Sequence, residues 1–253
     1  MHDDAPFEIF DHTQQPEGIP GLVFVCDHAS NRVPSDVTPL GLPPEDMVRH
    51  IAFDVGARGV TIGLAEALGA RAVLSRFSRL VIDPNRGADD PTLVMKLNDG
   101  SVIEGNRNVD TAEIERRLET LYRPYHAQID KALDLAGPEA VMVSMHSFTP
   151  QFRGRPFRPW QIALLWDEDG RLVAPLLDQL NADTDFNVGD NEPYSGKLAG
   201  DCMWMHGTMR GIPHVLIEIR NDLISDAQGE AEWIELLAPI LRAAIARMRA
   251  QTI

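Results

Sequence analysis

"GLVFVCDHASN", residues 21–31, joins a continuous apolar run to a polar loop. The run from Gly21 to Asp27 has the length and composition of a buried strand, and it places His28 directly at the carboxyl end of that strand. Five further strand-like runs follow along the chain: "ARAVLS" (70–75), "RLVID" (79–83), "AVMVSMH" (140–146), "QIALLW" (161–166) and "HVLIEIR" (214–220).

Helical patterns separate these strands at residues 43–68, 110–137, 171–182 and 227–250. The second of them has Asp110 as its N-cap and Gly137 after its last turn. Alternation of strands and helices predicts an α/β fold, a mainly parallel mixed sheet flanked by helices on both faces. With 253 residues, of which 44% are hydrophobic, the chain is long enough for one large core. We therefore expect a single domain spanning residues 1–253.

The charge balance narrows the range of partners. The chain has 38 acidic and 23 basic residues and a formal net charge of −15, which argues against nucleic acid or a membrane surface as a partner. It has no apolar run of about 18 residues, and its N-terminus lacks a secretion signal, so we expect a cytoplasmic protein acting on a small molecule. Its two cysteines show no C-x-x-C spacing and predict neither a thiolate metal site nor a disulfide. The oligomeric state is left open.

Two histidines at equivalent strand ends indicate a metal site. His28 follows the first apolar strand, and His146 follows "AVMVSM" in the same way. Neutral imidazole is the commonest protein ligand of zinc, and a catalytic zinc usually has three protein ligands. The alternative for each residue is a loop histidine that hydrogen-bonds a backbone carbonyl. The pair predicts zinc, or another divalent metal.

The third ligand has two candidates. Asp54 interrupts the apolar stretch "HIAFDVGA", and a charge placed there needs a partner. Its competing role is an N-cap for a helix that begins near Gly56. Asn31 lies three residues after His28, but a neutral amide is a poorer zinc ligand than a carboxylate. We therefore take Asp54 as the third ligand, with Asn31 as the alternative.

Glu218 is the candidate general base. Strand alternation in "HVLIEIR" puts Glu218 on one face with Leu216 and Arg220, so its carboxylate lines a buried or cleft-facing surface. Burial raises the pKa of a carboxylic acid and allows proton exchange near neutral pH. The alternative is a structural ion pair of Glu218 with Arg220 or Arg210.

The segment "DPNR" suggests a substrate that carries a carboxylate. The guanidinium of Arg86 can pair with a carboxylate through two hydrogen bonds, and Asn85 can donate to the same anion. Arg79 or Arg220 is available for a second carboxylate. The alternative for Arg86 is a salt bridge to Asp83 that fixes the turn.

Two other polar side chains lie outside these clusters. Tyr194, in the loop "DNEPYSGK", is expected to hydrogen-bond the substrate or an oxyanion, although packing on the surface is the common fate of a loop tyrosine. His126 falls within a predicted helix, and we interpret it as a structural or supporting residue.

Seven motifs in the same order resemble the N-formylglutamate amidohydrolase family. The resemblance runs from about Gly21 to Leu223. It rests on "CDHASNRVP", "HIAFDVGA", "SRFSRLVIDPNR", "YRPYHAQID", "SMHSFTP", "NEPYSG" and "RGIPHVLIEIRNDLI". It implies a zinc-exopeptidase-like (phosphorylase/hydrolase-like) core. The implied reaction is hydrolysis of N-formyl-L-glutamate to formate and L-glutamate, the last step of one route of histidine degradation.

The resemblance also implies roles for individual residues. His28 and His146 correspond to metal ligands, Asn85 and Arg86 to a carboxylate clamp, and Glu218 to the general base. Asp54 lies within a family motif. The chain has Asn31 where the wider superfamily of zinc carboxypeptidases and aspartoacylase-like deacylases has the glutamate of H-x-x-E.

We therefore expect a metal-dependent hydrolase of an N-formyl or small N-acyl amino acid. A deacylase of another N-acyl amino acid, or an amidase acting on a cell-wall peptide, is the nearest alternative. A non-catalytic binding protein on the same fold is the alternative from a different class, and the presence of a base on a strand argues against it.

Overall fold

A mixed β-sheet forms the centre of the computed structural model, which describes residues 5–251. The strands of the described chain are β1 (Phe7–Asp11), β2 (Leu22–Cys26), β3 (Arg71–Ser75), β4 (Leu97–Asn98), β5 (Ser101–Val102), β6 (Val141–Phe148), β7 (Ile162–Leu165), β8 (Val188–Asp190) and β9 (His214–Arg220). Strands β4 and β5 pair with each other as a small hairpin. The other seven form one sheet in the order β1-β3-β2-β6-β9-β7-β8.

The four central strands β3, β2, β6 and β9 are parallel. At the edges, β1 is antiparallel to β3, β7 is antiparallel to β9, and β8 is parallel to β7. This arrangement confirms the predicted α/β fold with a mainly parallel mixed sheet. Because the central strands are parallel, the residues at their carboxyl ends meet at one edge of the sheet.

Helices cover both faces of the sheet. They are α1 (Pro44–Met47), α2 (Ala57–Ala67), α3 (Thr111–Arg117), α4 (Arg123–Ala136), α5 (Val173–Asp183), α6 (Cys202–His206) and α7 (Ala227–Gln251). Along β2, Phe24 and Cys26 face a core shared with α2, α5 and α7, whereas Val23 and Val25 face a core shared with α4 and α6. Within residues 5–251, no helix combines the length and apolarity needed to cross a bilayer.

The segment "RLVID" does not form the predicted strand. Val81 N–H donates to the Ser78 carbonyl at 2.9 Å and Asp83 N–H to the Leu93 carbonyl at 2.8 Å, so the chain turns instead of pairing with a strand. Leu80, Val81 and Ile82 are fully buried in the core on the α4 side of the sheet. Their apolar character therefore reflects burial in a turn, which a short apolar run does not distinguish from a strand.

The predicted helix at 43–68 is divided into α1 and α2. The nine residues between them form turns. The last of these residues, Gly56, is the N-cap of α2 and has a φ of 77°. The helix predicted at 110–137 is helical throughout, with a π-helical turn at Leu118–Tyr122 between α3 and α4. Asp110 accepts a hydrogen bond from Glu113 N–H, as predicted, and the helix ends at Gly137. Strands β1, β4, β5 and β8 and helix α6 were not predicted.

We expect Gly56→Ala to destabilise the protein more than Gly211→Ala. Both glycines have left-handed backbones, which costs an alanine roughly 1–2 kcal/mol. A Cβ at position 56 would lie 2.0 Å from the Ile224 carbonyl oxygen, whereas a Cβ at position 211 meets nothing within 4 Å. Overpacking typically costs a further ~1–3 kcal/mol. Urea unfolding of the two variants measures the difference, and equal losses would show that close packing at Gly56 contributes nothing.

Candidate active site

The structure brings His28, Asp54 and His146 together at the carboxyl edge of the sheet. One ligand atom from each residue lies within 4.8 Å of the others. His146 Nδ1 is 2.8 Å from Asp54 Oδ2, and His28 Nδ1 is 3.3 Å from the same oxygen. All three residues are at most 2% exposed. The two imidazoles therefore converge on a single buried carboxylate oxygen.

The outer nitrogen of each histidine contacts a second carboxylate. His28 Nε2 lies 2.7 Å from Asp83 Oδ1, and His146 Nε2 lies 3.1 Å from Asp27 Oδ2. When Nε2–H donates to these carboxylates, the Nδ1 lone pairs point towards Asp54. Sequence reasoning missed both aspartates. The available signal was that each one ends an apolar run, "VFVCD" and "LVID".

The cluster concentrates negative charge. Burial favours the neutral acids, but the imidazoles outweigh it and lower the pKa of Asp27 and Asp54 below the usual range. Arg79, together with His28, does the same for Asp83. Arg79 donates to Asp83 at 3.0 Å and lies 3.4 Å from Asp54. Burial lowers the pKa of His146, but hydrogen bonds and charge from Asp27 and Asp54 raise it well above its ordinary value overall. The three buried carboxylates thus favour a cation between the imidazoles and Asp54.

The donor set of this cluster fits a divalent metal, because it consists of two imidazole nitrogens and one carboxylate oxygen. A further carboxylate supports each imidazole. Asp54 faces both histidines, while α2 has Gly56 at its N-cap with no side-chain cap. Asn31 points elsewhere, because its Nδ2 donates to the Met47 carbonyl at 2.9 Å. Of the two third-ligand candidates, the geometry favours Asp54.

Glu218 lies next to this cluster. It is the register partner of His146 across the parallel pair β6 and β9. Burial, together with the like charge of Asp54, raises the pKa of Glu218 to about 7, although the opposite charge of His146 acts to lower it. Its Oε2 is buried without a hydrogen-bond partner among the described residues. Arg210 pairs with Asp130 and Asp134, and Arg220 pairs with Asp222, so neither forms the alternative ion pair.

These side chains face one cavity of about 440 Å³, which Asn85 and Arg86 also line. Asn85 Oδ1 accepts a hydrogen bond from Cys202 N–H at 3.1 Å, which leaves its NH₂ group to donate elsewhere. The Arg86 guanidinium donates to the Asn85 carbonyl. Among the ion pairs of the described residues, none joins Arg86 to Asp83.

The remaining predicted substrate-binding residues fall into two groups. Arg79 and Tyr194 line the cavity. The Tyr194 hydroxyl accepts a hydrogen bond from Arg158 at 2.9 Å. Arg220 does not line the cavity, because its guanidinium bonds with Asp222 and with the carbonyls of residues 158 and 160. In this structure, Arg220 therefore lies outside the lining of the cavity in which the other candidates meet.

Other lining residues were not predicted from the sequence. Asp201 caps α6 through Trp204 N–H, and burial raises its pKa to about 7. Lys197 lies exposed at the rim. Further lining residues are His50, Ile51, Met95, Asn98, Ser147, Phe152, Leu165, Leu198 and Leu216. These residues come from loops and strands far apart in sequence, so no local pattern marks them.

The family model for N-formylglutamate amidohydrolase (FGase) matches residues 21–225. The chain belongs to this family. Members of the N-formylglutamate amidohydrolase family are hydrolases acting on a carbon–nitrogen bond other than a peptide bond, and this chain is an enzyme of that class. The motifs that carried the resemblance fall within the matched range.

Two solved structures are similar over nearly their whole length. A gene product of Agrobacterium tumefaciens is 32% identical with a TM-score of 0.88, and the match covers 97% of this chain and 96% of that one. N-formylglutamate amidohydrolase from Ralstonia eutropha is 24% identical with a TM-score of 0.71, covering 98% and 99%, and shows a shared fold. No curated protein matches the chain.

We expect Glu218→Gln to gain stability over the wild type as the pH rises. The pKa of Glu218 is raised from 4.5 to about 7 in the folded state. Between these two pH values the folded state binds more protons than the unfolded state, so the stability of the wild type falls as the pH rises. At about 1.4 kcal/mol per pKa unit, the advantage of the variant above pH ~7 is on the order of 3 kcal/mol. Urea unfolding of chelator-treated proteins at acidic and mildly alkaline pH measures it. A pH-independent difference would contradict the raised pKa.

Proposed function

We propose that the protein hydrolyses N-formyl-L-glutamate to formate and L-glutamate with a divalent metal, zinc, held by His28, Asp54 and His146. The observation that carries the proposal is the convergence of both Nδ1 atoms on Asp54, with Glu218 beside His146 in the same cavity as Arg86. A binding protein needs no unpartnered buried glutamate next to such a cluster.

The three ligands would leave a coordination position open towards the cavity. A zinc ion bound there would act as a Lewis acid towards the formyl carbonyl and lower the pKa of a coordinating water to about 7. Asp27 and Asp83 hold the two imidazoles in the tautomer that presents Nδ1. Arg79 fixes the positions of Asp54 and Asp83. We therefore assign Arg79 a supporting role, distinct from the direct substrate contact expected from the sequence.

Glu218 would move the proton. With a pKa near 7, its carboxylate accepts a proton from the attacking water as the water oxygen bonds to the formyl carbon. As the carbon–nitrogen bond breaks, the same group returns that proton to the leaving amine. The two products are formate and the free amino acid, and Glu218 is regenerated as a carboxylate.

Arg86 and Asn85 would hold the α-carboxylate of the amino acid. The Asn85 NH₂ group is free to donate because its oxygen is engaged by Cys202 N–H, and Arg86 has no carboxylate partner among the described residues. Tyr194 and the rim residue Lys197, which also line the cavity, would provide further contacts, Lys197 to a side-chain carboxylate. With this substrate, the enzyme would catalyse the last step of a histidine-degradation route in the cytoplasm.

A larger acyl group is the second candidate. Apolar side chains contribute much of the cavity wall, including Ile51, Met95, Phe152, Leu165, Leu198 and Leu216. A formyl group is too small to cover them. A panel of N-formyl, N-acetyl and N-benzoyl glutamate, scored by released glutamate, separates the two candidates. Preference for the larger acyl groups would favour the deacylase.

Glu218→Gln and Arg86→Lys are expected to fail in different ways. Loss of the base should lower kcat about 10²- to 10⁴-fold while substrate still binds. Loss of the bidentate guanidinium should raise KM for N-formyl-L-glutamate about 10-fold or more. Arg220→Lys is the matched control, because Arg220 lies outside the cavity lining, and its KM should stay near wild type. Normal turnover in Glu218→Gln would rule out the proposed base.

Asp54→Asn should weaken zinc binding at this cluster by at least about 100-fold. The variant replaces a charged ligand with a neutral amide between two imidazoles. Asn31→Ala is the control, since Asn31 contacts the Met47 carbonyl and not the cluster. Calorimetric zinc titration of chelator-treated proteins measures both affinities. Equal affinity in wild type and Asp54→Asn would exclude Asp54 as a ligand.

A further inference from the structure

A second group of metal-ligand side chains lies behind the cavity wall. One ligand atom from each of His126, Cys202 and His206 lies within 4.8 Å of the others, and all three residues are buried. None of them lines the cavity described above. Cys202 and His206 are four residues apart on α6, so they share one face of that helix, and His126 approaches from α4.

The hydrogen bonds of this group prepare both histidines for a cation. Asp130 Oδ1 lies 2.9 Å from His206 Nδ1, the carboxylate–imidazole arrangement that commonly supports a metal-bound histidine. With Nδ1–H given to Asp130, His206 Nε2 carries a lone pair, and it lies 2.8 Å from His126 Nδ1. His126 Nε2 is buried and has no hydrogen-bond partner among the described residues. The Pro84 carbonyl also interacts with this imidazole, and the nitrogen that faces His206 is Nδ1, so Nδ1 is the ligand atom that His126 offers at the shared point.

We propose that His126, Cys202 and His206 bind a second divalent transition-metal ion of the zinc type. Two imidazole nitrogens and one thiolate suit a borderline-soft ion, and tetrahedral coordination places such ligand atoms about 3.3–3.6 Å apart, so only small side-chain shifts are needed. Binding replaces the thiol proton of Cys202, which leaves to solvent, by a metal–sulfur bond. Burial and the nearby carboxylate of Asp27 raise the pKa of the Cys202 thiol, so its proton leaves only as the cation binds and offsets this negative charge.

A metal bound at this second site would stabilise the positions of Asn85 and Arg86, the carboxylate clamp of the proposed function. Cys202 N–H donates to Asn85 Oδ1. Tyr122, whose ring lies 4.1 Å from that of His126, donates from its hydroxyl to the Arg86 carbonyl. A metal that joins α4 to α6 would therefore fix α6, which contacts Asn85, and the π-helical turn directly before α4, which contacts Arg86. Its role is structural, because the ligands are buried away from the cavity.

Cobalt substitution tests the proposal. The His28, Asp54 and His146 cluster contains no cysteine, so a thiolate-to-cobalt charge-transfer band in the near ultraviolet reports only on the second site. We expect chelator-treated wild-type protein to bind two equivalents of Co²⁺ and to show this band. Cys202→Ala should lose the band and one equivalent. Cys26→Ala is the matched control, because this other buried cysteine lies on the opposite face of the sheet, and it should keep both.

A cobalt-saturated wild type without a thiolate band would overturn the proposal, as would a band that survives in Cys202→Ala. His28→Ala should lose one equivalent and keep the band, which separates failure here from failure of the proposed catalytic site. If Cys202→Ala does not fold, Asp130→Asn provides the test on a half-exposed residue. This variant should lower the affinity of the second site for Co²⁺ about 10- to 100-fold. Asp134→Asn is the control, because it also removes an ion pair with Arg210 but Asp134 does not contact His206. This variant should bind cobalt at the second site as tightly as the wild type does. Equal affinities in these two variants would overturn the proposal.

Discussion

One carboxylate oxygen facing two imidazole nitrogens in a buried site sets the main constraint on this structure. Asp54 Oδ2 lies 2.8 Å from His146 Nδ1 and 3.3 Å from His28 Nδ1. Lone pairs that meet at these distances repel one another unless a proton or a metal cation lies between them. Because water is excluded from this site, these charges are weakly screened, and leaving them without a proton or cation would be costly. The surrounding residues can be understood as the means of keeping this oxygen in place.

The fold meets the constraint with three elements far apart in sequence. Parallel pairing brings the ends of β2 and β6 together, which places His28 and His146 side by side. The turn region between α1 and α2 supplies Asp54, and Asp54 N–H donates to the His28 carbonyl at 2.9 Å. The register of β6 with β9 then puts Glu218 next to His146. Glu218 remains without an ion pair among the described residues, so this buried carboxyl group lowers the stability of the fold at the cavity.

The sequence predicted the elements of the fold better than it predicted their contacts. Strand alternation in "HVLIEIR" placed Glu218 and Arg220 on one face, and the structure agrees. It could not show that Arg220 turns to Asp222, because a residue's partner depends on the local loop geometry. Likewise, "RLVID" is apolar because it is buried. Whether such a segment pairs as a strand depends on its tertiary contacts, which the local sequence does not show. The aspartates beside the histidines were missed because their partners lie 55 and 119 residues away.

The two histidine clusters share one physical arrangement. In each, a carboxylate holds one ring nitrogen and directs the other towards a shared point: Asp83 and Asp27 for the first cluster, Asp130 for the second. The first cluster opens onto a cavity and has the buried Glu218 beside it, whereas the second is enclosed between α4 and α6. An open coordination position distinguishes catalytic from structural zinc sites. Asp27 contacts His146 and lies near Cys202, so a cation bound in one cluster would reduce the negative charge that favours a cation in the other.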